Sequence, residues 1–217
     1  RLVLQNPDKI LPFLPIVRFL PRQYDRVIEK RYPLSIPNMG RISFWRRNPM
    51  KLGISSYSLV QHLRDKTMTI YDVMDWAKEH GCDHLELVPF ELDFLLEDGS
   101  INEELVMGIK KKSEEIGLPL STFSLNACVI QDKEEDNVAE IARIKKYIDI
   151  AHMLGLKRMR HDTCTGQHPH GINTPHQFEV EFPRLVKAVQ ECADYAAQYG
   201  MNTTLENHGR FVNGADG

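Results

Sequence analysis

The sequence predicts an α/β fold, a (β/α)8 barrel represented by about five strands and four helices. Three observations lead there. From Met50 onward short β-forming runs alternate with longer stretches of helical period. Glycines close the helical stretches at near-regular intervals, and polar residues collect at the carboxyl ends of the β-forming runs.

The runs come in order: "KLGISSYS" (51–58), "DHLELVPF" (83–90), "LPLSTFSL" (118–125), "LKRMRH" (156–161) and "MNTTLE" (201–206). Each is rich in apolar and β-forming residues. In the helical stretch before Gly81, Ile70, Val73, Met74 and Ala77 fall on one face, and before Gly155 so do Ile141, Ile144, Ile148 and Ala151. Thr69 with Asp72 reads as a helix start, as does Thr174-Pro175 followed by Gln177. Gly81, Gly117, Gly155 and Gly200 recur at intervals of 36, 38 and 45 residues, each where a helix must turn into a strand. A repeated β-α unit predicts a parallel sheet.

No strand is followed by a G-x-G-x-x-G or P-loop cluster, which argues against a nucleotide-binding open sheet. The strand ends carry Ser55, Ser56 and Ser58, Glu86, Asn126, His161 with Asp162, and Glu206 with His208. A barrel places its active site at that face. Because a complete barrel has eight strands, the expectation is a barrel cut short, with about three β-α units falling beyond Gly217.

Residues 1–49 read differently. They hold seven of the twelve prolines, no alanine and no sustained period. Arg46-Arg47 is encodable as a ribosome-binding sequence just ahead of Met50, so the expectation is an irregular leader of translated upstream sequence, with a genuine extension as the alternative. Within it "ILPFLPIVRFLP" (10–21) is broken by prolines and Arg18, too short to span a membrane.

The 27 basic and 30 acidic residues leave a net charge of −3, without the basic footprint of a nucleic-acid binder. Four cysteines, Cys82, Cys128, Cys164 and Cys192, show no C-x-x-C and read as core residues of a cytoplasmic protein, Cys164 being the one expected at the surface.

At "KLGISSYS", "HLELVPF", "LKRMRHD" and above all "TTLENHG" (203–209), the chain resembles the xylose isomerase-like TIM barrels, the group of sugar phosphate isomerases and epimerases. The resemblance covers residues 50–217. It implies a divalent metal, manganese, magnesium, cobalt or zinc, held at the barrel mouth by Glu, Asp, His and Glu of the last four strands. It places Glu206 as the first metal ligand and as a catalytic carboxylate that moves a proton next to a carbonyl. The other three ligands have no counterpart before Gly217, so this fragment is expected to be inactive alone. The implied partner is a small-molecule sugar, with oligomerisation open.

Glu206 ends a strand that should be largely buried, where a carboxylate needs a metal or a fixed partner, a structural salt bridge being the plain alternative. His208 is a candidate to bind a sugar hydroxyl or orient Glu206, or is a surface loop residue. Glu86 alternates with Leu85 and Leu87 and should point into the barrel, to bind substrate or pair with Arg160. His161 is a substrate-contact candidate, with Asp162 only beginning the loop. His168 and His170 form an H-x-H pair in a Pro/Gly loop without a rigid frame, and His62 and His80 read as surface. Two rival readings stand beside the isomerase: an endonuclease-like enzyme of abasic DNA, which would need histidines on the third and fourth strands, and a non-catalytic remnant.

Overall fold

In the computed structural model of the chain, the residues described are 50–164 and 175–206. The expectations for residues 1–49, His168, His170, Thr174 and His208 lie outside them.

Among the described residues five strands form one sheet: β1 (Gly53–Ser55), β2 (His84–Leu87), β3 (Leu120–Leu125), β4 (Arg158–His161) and β5 (Asn202–Leu205). They lie side by side in chain order, and every neighbouring pair is parallel. A doubly wound sheet reverses its strand order at a switch point; this one does not reverse. Successive right-handed crossovers in one direction put every helix on the same side of the sheet, which is the geometry of a (β/α) barrel.

Among the described residues five helices follow in the connections: α1 (Val60–Arg64), α2 (Ile70–Glu79), α3 (Glu103–Ile116), α4 (Glu134–Met153) and α5 (Pro175–Ala197). The short α1 is the one element that periodicity alone does not reveal. It continues a 3-10 turn at Ser56–Leu59, started by the Ser55 hydroxyl accepting from the Tyr57 N–H at 3.3 Å. The first strand is thus shorter than its β-forming run. The other strands also lose residues at their ends to the turns on either side.

The expected helix faces are the buried ones. Ile70, Val73, Met74 and Ala77 are all buried on α2. Thr69 and Asp72 form a reciprocal capping box: the Asp72 N–H donates to the Thr69 hydroxyl at 3.2 Å, and the Thr69 N–H to the Asp72 carboxylate at 2.7 Å. Those bonds hold the Asp72 carboxyl below its usual range. On α4 Ile144, Ile148 and Ala151 are buried, with Ile141 packed at the edge of the core. The four repeat glycines all have positive φ, Gly117 at 61° as the left-handed cap of α3.

The core lies between the helices and the outer face of the sheet. Leu87, Phe123 and Met159 form one row across it, each fully buried. Against expectation Cys164 is also fully buried, packed with Ile130 and Leu185, while Cys82 and Cys128 are partly exposed. Among the described residues no helix is long and apolar enough to cross a membrane.

Candidate functional site

Strand alternation decides which side chains reach the mouth. One rung of the sheet runs Ser124, Arg160, Thr204; the next runs Leu125, His161, Leu205. Leu125 is fully buried in the helix-facing core, so His161 faces the helices with it, and Arg160 faces inward. One step beyond, Asn126, Asp162 and Glu206 return to the inward side.

These inward groups line a concavity of about 590 Å³ at the carboxyl ends of the strands. It is fed by every strand: Ser55 from β1, Glu86 from β2, Ser124 and Asn126 from β3, Arg160 and Asp162 from β4, and Glu206 just after β5. Tyr57 and Phe90 stand at its edge, their rings 5.5 Å apart and both exposed.

Glu86 points inward as its alternation with two buried leucines requires. Its partner is the Ser124 hydroxyl, which donates to Oε1 at 2.5 Å, rather than Arg160. The Arg160 guanidinium instead engages Asp162 at 3.2 Å and Glu206 through its other terminal nitrogen. Glu206 is exposed, not largely buried, and it is paired with Arg160. Ser56, grouped with the strand-end polar residues, serves the fold instead, since its buried hydroxyl accepts the Val88 N–H at 2.9 Å and ties β1 to β2.

The structure places His161 away from the concavity. It is fully buried, with Nδ1 donating to the Asp162 carbonyl at 2.9 Å and Nε2 without a hydrogen-bond partner among the described residues. Burial holds its pKa below the ordinary imidazole value, so it is a neutral core histidine. The endonuclease alternative turns on this residue, and the residue that follows β3 is Asn126 rather than a histidine. Asp162, read as loop, takes the inward place. The signal for it in the sequence is period-2 alternation from Arg160. His62 bonds Thr67 at the surface and His80 stacks on Trp76.

Three carboxylates therefore share the mouth, but a cation of the chain's own lies between two of them. Among the described residues no group of three or more His, Cys, Asp and Glu side chains is arranged to hold a metal ion. The donor chemistry agrees: Glu206 is engaged by Arg160 and Glu86 by Ser124. The described residues do not by themselves fit the metal that the resemblance implies.

Folds of this kind recur among solved structures. A probable 3-DHS dehydratase of Bacillus anthracis involved in petrobactin synthesis superposes with a TM-score of 0.56 at 16% identity, over 76% of this chain and 54% of that one. For a 3-keto-D-glucoside 4-epimerase of E. coli the values are 0.54, 17%, 75% and 57%. A D-psicose 3-epimerase gives 0.55, 16%, 76% and 55%. These likenesses show the fold, and the chain spans little more than half the length of each neighbour. No curated protein matches the sequence. The model of one family matches residues 74–216, well over half of the chain, and by that match the chain belongs to the xylose isomerase-like TIM barrel family.

Proposed function

We propose that these residues form part of an isomerase or epimerase that acts on a sugar, sugar phosphate or related polyol by proton transfer next to a carbonyl. The observation that carries this reading is the Arg160–Glu206 pair at the barrel mouth, a base beside a cation, with Glu86 in the same concavity.

The chemistry follows from the groups present. A substrate carbonyl oxygen that takes over one guanidinium N–H of Arg160 leaves the Glu206 carboxylate open towards the adjacent C–H. Glu206 takes that proton, and the electron pair moves to the carbonyl oxygen as an enediolate forms. Arg160, anchored on Asp162, then faces the developing negative charge with donors already in place. Return of the proton to the neighbouring carbon, with the hydroxyl proton of that carbon passing to the former carbonyl oxygen, isomerises the sugar; delivery of a proton from a second acid on the opposite face of the same carbon epimerises it. Glu86 and Asn126 can accept or donate to sugar hydroxyls, and Tyr57 and Phe90 offer flat apolar faces to the ring's C–H surface.

No step is routed through a metal. The divalent cofactor remains part of the proposal only at Glu206, the position the family resemblance assigns to it. The complete reaction belongs to a chain carrying the whole barrel, and the 217 residues alone are expected to bind sugar without turnover. The expected compartment is the cytoplasm.

The test is wash-in of solvent deuterium, followed by NMR, on a panel of aldoses, ketoses and their phosphates with the polypeptide that carries the complete barrel. Label is expected at the carbon beside the carbonyl, and Glu206→Gln should lower its rate by about 10²–10⁴-fold. A panel without wash-in, or undiminished wash-in by the variant, overturns the reading.

A further inference from the structure

Cys128 and Cys164 stand opposite each other where the chain leaves β3 and β4, paired by an isolated antiparallel bridge. The Cys128 thiol donates to the Cys164 sulfur at 3.1 Å. Residues directly opposite in an antiparallel pair have Cα atoms about 4.5–5.5 Å apart. That falls inside the span a disulfide bridges.

The surroundings hold the pair in place. The Cys128 N–H donates to Glu140 Oε1 at 2.9 Å, and Arg143 grips Glu140 at 2.7 Å while donating to the Asn126 carbonyl at 2.6 Å. Cys164 is packed against Ile130 and Leu185. Cys128 is partly exposed and Cys164 is buried behind it, so a small oxidant meets Cys128 first. Both thiols sit two residues past groups that line the concavity, Asn126 and Asp162.

We propose that Cys128 and Cys164 are a redox pair, converted by a peroxide into a disulfide that ties the loop after β3 to the loop after β4 and so fixes Asn126 and Asp162 at the mouth. The Cys128 sulfur, as thiolate, attacks one peroxide oxygen; the O–O bond breaks, and the departing hydroxide is protonated to water. The sulfenic acid so formed is attacked by the Cys164 sulfur. An S–S bond forms as the S–O bond breaks, and the leaving hydroxide takes the Cys164 thiol proton and departs as a second water. The two thiols lose two electrons and the peroxide gains them.

The reduced 217-residue chain, treated with hydrogen peroxide, alkylated and cut with trypsin without reductant, tests this by mass spectrometry. The expected product joins peptide 113–133 to peptide 161–184, two hydrogens lighter than their sum, with Cys82 and Cys192 alkylated. Dithiothreitol should release it, and Cys128→Ser or Cys164→Ser should prevent it. Hydrogen exchange of the amides at 126–130 should slow in the oxidised chain. Sulfinic acid at Cys128 with Cys164 still alkylated, bridges only between chains, or prior oxidation of Cys82 would each overturn the pair. A bridge that leaves exchange unchanged would overturn the locking. The wild-type peptide map decides the first point even where a serine variant fails to fold.

Discussion

Arg160 binds carboxylates from two neighbouring strand ends at once, Asp162 two residues along its own chain at 3.2 Å and Glu206 beyond the adjacent strand. The Asp162 side chain is 2% exposed and that of Arg160 23%, so this pair is shielded from water far more than a surface ion pair. Arg160→Met should therefore cost about 1–3 kcal/mol, read from urea unfolding, because a buried carboxylate loses its guanidinium. Arg160→Lys should recover only part of the loss, since an ammonium cannot reach both carboxylates as a fork. Equal stability of Met and Lys variants would show that charge is not what Asp162 requires.

His161 makes stability depend on pH. Its folded pKa is depressed, with burial the first cause. The unfolded chain then binds a proton near the ordinary imidazole value while the folded chain does not. Stability rises with pH wherever the unfolded state holds more protons. The contribution is complete above the ordinary imidazole pKa and is lost progressively as pH falls below it, down to the depressed folded value. Denaturant midpoints measured from pH 7.5 to 5 should fall, and His161→Gln should flatten that dependence. A wild-type slope unchanged by the substitution would place the titrating group elsewhere.

The parts of the fold legible in the sequence were those set by local chemistry. The Thr69–Asp72 box, the left-handed glycines and the buried stripe Ile70, Val73, Met74 and Ala77 depend on residues a few positions apart. Glu86 was legible too, because two flanking leucines fix its side of the strand. The site was legible only in outline. Which carboxylate Arg160 meets depends on the register of β4 against β5, and no local pattern encodes that pairing. His161 lies on the helix-facing side because period-2 alternation, not residue type, decides which strand side chains reach the mouth. The Cys128–Cys164 contact spans 36 residues and needs the sheet to exist first.

Gly117 offers a clean test of the repeat. Its φ is 61°, and a Cβ there would meet nothing closer than the Lys78 Nζ at 3.8 Å. The cost of Gly117→Ala is then conformational alone, about 1 kcal/mol in thermal unfolding. Gly53→Ala should cost more, because its Cβ would run into the His84 imidazole on the neighbouring strand. The reverse order would mean that the ring moves aside freely.

Glu140 connects a helix to the mouth without touching it. One carboxylate oxygen accepts from the Cys128 N–H at 2.9 Å and from an Arg143 terminal nitrogen at 2.8 Å, and the other takes the Arg143 Nε at 2.7 Å. Arg143 in turn donates to the Asn126 carbonyl, so α4 holds the start of the loop after β3 at two points. The Glu140 side chain is 14% exposed, which makes an orphaned partner costly. Glu140→Ala should lose about 2 kcal/mol of stability, whereas Glu140→Gln, which keeps an acceptor for Cys128, should lose less than half of that. In a double-mutant cycle with Arg143→Met the coupling should be about 1 kcal/mol. Hydrogen exchange separates this clamp from general destabilisation: Glu140→Ala should speed exchange at Cys128, in the loop after β3, well before it does so at Phe123, inside β3. If both amides speed up together, Glu140 supports the whole sheet rather than the loop that carries Asn126.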